Sequence, residues 1–350
     1  MENKQIQYHN LTEHSSSLRR FSGIDVLKCV AAYMVVIIHF VNTGKGTNTE
    51  IFLSQLCNAQ ARAAIPVFFM ITGFFYGSMI KRGGLEKHIK KILILTIIAT
   101  LFYVFYIGAL FCLYEGTLAE YIRKTFSSQK LIEWVFLNNA PAGIHLWYLY
   151  AVIYVLILMR ILDKLGGAKL LYILGIGCFA ALLIGNYTMV SPTVPYTRNF
   201  MFAGLPFVLL GRTIALPTFT NITNRLSKAH LICLLLVGVL FVTVELVIRE
   251  YVLLFDNPML DYYTFTPIVA IALFLLALKS TNLNSFEQKL STIGLKYSTY
   301  IYIVHVFCGN TIVSLSPYDN FWWKTFVSVP VIFLFSLVGS MILIRCNKFI

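Results

Sequence analysis

Residues 21–40 read Phe21-Ser-Gly-Ile-Asp-Val-Leu-Lys-Cys-Val-Ala-Ala-Tyr-Met-Val-Val-Ile-Ile-His-Phe40, and this stretch decides how the rest of the chain is read. It is long and apolar enough to cross a bilayer as a helix, yet it carries Asp25, Lys28 and His39. At about 100° per residue, the eleven-residue step from Lys28 to His39 leaves the two side chains roughly 20° apart around the axis and about 16 Å apart along it. Asp25 falls within about 40° of the same line. A charge facing hydrocarbon costs roughly 2.5 to 3.5 kcal/mol, so such a stripe turns toward protein or water. A simpler reading stands beside this one: Lys28 snorkels to the headgroups, Asp25 caps the helix start and His39 satisfies a carbonyl.

The composition fits a polytopic membrane protein. Of the 350 residues, 58% are hydrophobic and only 12% charged, with a mean hydropathy of +0.75; a soluble domain carries about a quarter charged residues. The formal charge of +13 would suggest nucleic acid in a soluble chain. Here the basic residues punctuate apolar runs, where they set topology, and nucleic-acid binding is excluded. The seven cysteines form no C-x-x-C and no zinc-spaced cluster, so no metal site is expected. The first twenty residues are polar, which leaves the first membrane helix to direct insertion.

Apolar runs near 24–43, 63–80, 91–114, 146–163, 169–187, 200–217, 229–249, 262–279, 297–316 and 324–345 predict about ten transmembrane helices. With the N-terminus in the cytoplasm, nineteen basic residues fall inside and eight outside, so both termini are expected to be cytoplasmic. The chain therefore reads as an all-α polytopic protein of one membrane domain, 24–345, between short tails at 1–23 and 346–350. One loop is long, at about 115–145, and its Leu131–Leu137 segment suits the membrane interface. In Ala64-Ile-Pro-Val-Phe-Phe-Met-Ile-Thr-Gly-Phe-Phe-Tyr-Gly77 of the second span, Gly73 and Gly77 stand at a helix-packing spacing, and Thr72 is a candidate cavity residue.

Other polar residues interrupt the later spans. His145, Trp147 and Tyr148 stand at the outer mouth of the fourth; an aromatic belt explains Trp147 and Tyr148 but not His145. His305 lies about halfway through the ninth, three residues after Tyr302, and needs a partner there. The densest basic cluster is the inner loop containing Lys81, Arg82, Lys87, Lys90 and Lys91. The positive-inside rule accounts for it, and attraction of a polyphosphate ligand is the functional alternative.

These residues, taken in order, resemble the membrane-bound acyltransferase-3 family, whose members move acyl groups onto cell-surface glycans. The resemblance rests on Lys28 and His39 after Gly-Ile-Asp, on Pro-Val-Phe-Phe-Met-Ile-Thr-Gly, on His-Leu-Trp-Tyr-Leu at 145–149, and on Gly-Leu-Lys-Tyr-Ser-Thr-Tyr-Ile-Tyr-Ile-Val-His ending at His305. The segment from Arg198 to Gly211 also looks like the family's sixth helix. Two positions depart from the pattern: Lys28 stands where the family usually has Arg, and Thr72 where it has Ser. Lysine keeps the charge but lacks the bidentate fork of arginine.

The resemblance implies an acetyl-CoA or other acyl-CoA donor bound from the cytoplasm, with Lys28 and the basic cluster as donor contacts. It implies a glycan or small hydroxyl compound as acceptor, at the surface of a bacterial cell membrane. His39 would be the general base or the acyl carrier, with Asp25 beside it in the catalytic set, and Thr72, His145, Trp147, Tyr148, Arg198, Tyr302 and His305 would line the pocket. No bound cofactor is expected, and a homo-oligomer is an open alternative. The chain also resembles the membrane half of VanT-type serine racemases, which makes a transporter-like domain for serine the second expectation.

Overall fold

The computed structural model describes residues 21–41, 46–187, 197–253 and 259–346; of the expected tails at 1–23 and 346–350, residues 1–20 and 347–350 lie outside them. Among the described residues the chain is all-helical, without a strand. The helices are α1 (Ser22–Phe40), α2 (Asn48–Ala61), α3 (Ala64–Lys81), α4 (Leu85–Tyr114), α5 (Leu118–Thr125), α6 (Ser128–Leu137) and α7 (Trp147–Lys164). They continue with α8 (Ala168–Gly185), α9 (Leu205–Ile214), α10 (Pro217–Arg225), α11 (Lys228–Val247), α12 (Thr266–Lys279), α13 (Ser285–Ser314) and α14 (Val329–Cys346). Among the described residues seven helical segments are long and apolar enough to span a bilayer, and the pair Phe200–Ile214 and Pro217–Arg225, bent by 76°, would make an eighth. Two of the ten expected spans stand outside that set. At 14 residues α12 is short, about 21 Å by helical rise, and α13 is long but carries tyrosines, Asn310 and His305 along its apolar half.

The polar stripe of α1 does turn inward, because this helix is the centre of the bundle. It packs along its length against α13 and also touches α2, α3, α12 and α14. The close α1–α13 approach is permitted by Gly294, where a Cβ would collide with the Asp25 carbonyl. The periphery is the reverse. Leu101, Phe105 and Leu113 of α4, Ile173 and Ile176 of α8, and Leu334, Phe335 and Val338 of α14 are exposed, as side chains facing lipid should be. Gly294→Val should force α1 and α13 apart and cost about 1–3 kcal/mol, the usual penalty for overpacking a tight core. A lowered thermal unfolding temperature in detergent checks this, and unchanged unfolding would contradict the packing.

Two expectations need correction. Gly73 is a packing glycine, where a Cβ would collide with the Val208 carbonyl of α9, but a Cβ at Gly77 would meet no other described residue within 4 Å. The true counterpart of Gly73 is Gly211 of α9, which sits against the Met70 carbonyl of α3, so the close pair is made between helices and not within one. Residues 48–61, which none of the expected apolar runs covers, form α2 under a Thr47–Glu50 capping box. Their polarity hid them: Ser54 and Asn58 are buried, and Gln60 donates to the Val239 carbonyl and the Thr243 hydroxyl at 3.1 Å each. The long connection expected at 115–145 folds locally as α5 and α6.

Candidate active site

Three histidines far apart in sequence meet at one end of α1. Ring centroids stand 5.0 Å apart for His39 and His305, 5.2 Å for His145 and His305, and 6.4 Å for His39 and His145. His39 is the exposed member, its ring opening onto a cavity of about 110 Å³, while His145 and His305 are buried. His305 Nδ1 lies 2.7 Å from the Tyr302 carbonyl, which can only accept, so that nitrogen carries the hydrogen in the neutral ring. Its Nε2 is then a lone pair, buried and without a hydrogen-bond partner among the described residues.

Local geometry explains how each ring arrives. Asn58 donates to the Ile38 carbonyl at 2.8 Å and so anchors the last turn of α1, beside His39. His145 follows Gly143, whose φ of +71° makes the turn and whose missing Cβ leaves room for the Tyr103 ring. His145 Nε2 lies 3.2 Å from the Ile303 carbonyl. Tyr103 reaches the same carbonyl, its hydroxyl donating at 2.8 Å and accepting from the Phe307 amide at 3.2 Å, so it is inserted into the α13 ladder one turn around His305. Asn138, itself at φ +52°, donates to the Trp147 and Arg198 carbonyls and accepts from the Phe200 amide at 2.8 Å, tying the start of α7 to the Arg198 segment.

The same cavity carries a charged triad. Arg198 grips Asp261 through Nε and Nη2 at 2.7 to 3.0 Å, and Arg62 Nη1 reaches the same carboxylate at 2.7 Å. Thr197 adds a hydroxyl donor at 2.6 Å. Burial alone would raise the Asp261 carboxyl, but Arg198 and Arg62 outweigh it and hold it at about 2. The carboxylate therefore stays ionised at neutral pH, and two guanidinium groups against one carboxylate leave one positive charge in excess.

A second cavity, of about 410 Å³, opens toward the other end of α1, and Lys28, Thr72, His88, Lys91, Tyr148 and Lys296 are on its wall. Tyr302 lines both cavities. Its hydroxyl donates to the His145 carbonyl, so this one side chain forms part of the partition between them.

Not all the expected site residues gather here. His39, His145, Trp147, Arg198 and Tyr302 line the first cavity, with His305 against His39; Lys28, Thr72, Tyr148 and Lys91 line the second. Asp25 is not near His39. It lies about 21 Å back along the helix and pairs with Lys28 at 3.0 Å, so it positions Lys28 and is no partner of the histidine. Of the basic cluster only Lys91 reaches a cavity wall; Lys81, Arg82, Lys87 and Lys90 are exposed away from it. Sequence reading passed over Arg62, Asp261, Asn58, Asn138, His88 and Lys296. A signal existed for Arg62: like Arg198, it is a basic residue on the side expected to be outside, where the positive-inside rule disfavours one. No three His, Cys, Asp or Glu side chains among the described residues converge to hold a metal.

The comparisons with known proteins point the same way as these motifs. The chain is similar to an amino-acid racemase of Enterococcus faecalis, 25% identical over 355 residues that cover 94% of this chain and 47% of that protein. It thus spans about half the length of this curated relative. No solved structure matches it. The acyltransferase-3 profile, described as "Acyltransferase domain", matches residues 21–345, nearly the whole described bundle and both cavities, and the chain belongs to that family.

Proposed function

We propose that this chain is an integral membrane O-acyltransferase that takes an acyl group, acetyl in the simplest case, from coenzyme A to a hydroxyl of a cell-surface glycan or related acceptor. One observation carries the reading: the basic cavity and the histidine cavity share Tyr302. A thioester threaded along the first arrives one side chain from His39. By the positive-inside rule the basic cavity faces the cytoplasm, where coenzyme A thioesters are made, and the histidine cavity faces out.

In this mechanism the acceptor hydroxyl enters the His39 cavity. Neutral His39 takes its proton as the oxygen attacks the thioester carbonyl; the C–O bond forms, the C–S bond breaks, and the thiolate leaves toward the basic cavity and is protonated there. His305 stands behind His39, and the thioester carbonyl would pass Tyr302 to meet the acceptor oxygen. An acyl-histidine intermediate on His39 would give the same products in two steps. Lys28, held by Asp25, and Lys91 and Lys296 would attract the phosphates of the donor.

The direct test is [14C]acetyl-CoA added to inside-out vesicles containing the protein, with label followed into an envelope acceptor. Transfer that depends on the chain is expected, and its absence with any acyl-CoA would refute the reading. Within it, Lys91→Gln with Lys296→Gln should raise the apparent KM for donor several-fold, whereas Lys87→Gln with Lys90→Gln should not. Added salt should mimic the first pair, since exposed charges are screened over about 8 Å at physiological ionic strength. Equal KM in both double variants would remove the basic cavity from donor binding.

A second reading has one observation in its favour, the similarity to half of an amino-acid racemase. On that reading the bundle carries an amino acid such as serine across the membrane. Chain-dependent uptake of labelled serine by proteoliposomes, without acyl transfer, would select it.

A further inference from the structure

Resting on the acyl-transfer reading, we infer that the His39 cavity holds a carboxylate-binding subsite made by Arg62 and Arg198, and that the acceptor is an acidic compound with its reacting hydroxyl close to a carboxylate. One carboxylate that also accepts from the Thr197 hydroxyl cannot take up all the N–H groups of two guanidiniums, so part of each remains for another acceptor. Arg62 uses Nε on Asn58 and Nη1 on Asp261, and Arg198 uses Nε and Nη2 on Asp261. No bond described for either residue uses Arg62 Nη2 or Arg198 Nη1, and neither atom is among the buried unpartnered ones, as expected of groups that open onto the cavity.

The charge count points the same way. Asp261 neutralises one guanidinium, and the remaining positive charge sits in a cavity whose walls are otherwise Val35, Ile38, Ile65, aromatic rings and His39. A net positive charge on the wall of a small cavity draws an anionic ligand or counter-ion to it. Guanidinium N–H groups suit a planar carboxylate, which they can bind with charge-assisted hydrogen bonds. Because His39 lines the same small cavity, a ligand carboxylate on the arginines leaves only a few atoms of reach to the oxygen that meets the imidazole. That spacing selects hydroxy-carboxylates, such as a sugar acid or a lactyl-type ether acid, over neutral sugars.

The test uses the full chain in lipid nanodiscs and two probes of equal shape, L-lactate and L-lactamide, with binding followed by ligand-observed NMR. Saturable lactate binding is expected, with lactamide at least tenfold weaker. Arg62→Gln or Arg198→Gln should abolish the discrimination, and either variant leaves Asp261 one arginine partner, which favours folding. Equal binding of the two probes by the wild type, or no binding of either, overturns the inference, and so does a folded variant that keeps the preference. This measurement does not use acyl transfer. Failed transfer with intact lactate preference would therefore sink the enzymatic reading alone, and transfer without preference for the carboxylate would sink this one alone.

Discussion

His39→Ala should abolish acyl transfer while leaving the bundle folded and inserted. A positioned general base contributes about 100- to 10,000-fold, or about 2.7 to 5.4 kcal/mol of barrier at 1.36 kcal/mol per decade, and alanine offers no proton acceptor. The fold should tolerate the change because His39 is exposed to its cavity and its ring makes no hydrogen bond with the described residues. The loss should therefore appear in kcat with thermal unfolding little changed. His305→Ala makes an instructive contrast, since that ring is fully buried against Tyr302 and both other histidines and its loss should cost stability as well. Wild-type turnover by well-folded His39→Ala would remove the histidine from the chemistry.

Asp261→Ala should produce the largest loss of stability of any single change near the site. Removing one member of a largely buried ionic group leaves the others uncompensated and typically costs about 3–5 kcal/mol; here two arginines would face one another with nothing between them. Asp261→Ala with Arg198→Gln should recover part of the loss, and so should added acetate or formate, which can occupy the vacated position. The pH dependence has a definite sign. The Asp261 carboxyl is held at about 2, below its unfolded value, so its contribution is fully present above roughly pH 4 and is lost as pH falls toward 2. Between pH 5 and 8 this group should leave thermal unfolding flat. An Asp261→Ala protein as stable as wild type would show that the triad does not hold the segments around Arg62, Arg198 and Asp261 together.

The residues that could be read from the sequence were those whose chemistry clashes with their surroundings. A histidine or lysine inside an apolar helix has no cheap explanation, and this drew attention to Lys28, His39 and His305, which the fold does place on cavity walls or against them. Residues at the ends of helices gave no such clash. Arg62, Asp261 and Asn138 lie in polar connections where any charged or amide side chain is ordinary, and only the packing of α2, α7 and the 259–265 segment brings them together. Helical phase also misled in one respect. It correctly put Asp25 on the stripe of His39, but a shared stripe does not mean contact, and fourteen residues of rise separate the two. The helix α2 was hidden because its polar side chains are satisfied by other helices, which hydropathy along one segment does not reveal.

The central claim is that donor and acceptor reach His39 from opposite sides of the membrane through two cavities that meet at Tyr302. Its most direct measurement compares inside-out with right-side-out vesicles carrying the same amount of protein, given membrane-impermeant [14C]acetyl-CoA in the outside medium. Label transfer is predicted in inside-out vesicles, where the basic cavity faces the added donor, with transfer in sealed right-side-out vesicles close to background until they are permeabilised. Equal transfer in sealed vesicles of both orientations would contradict the account.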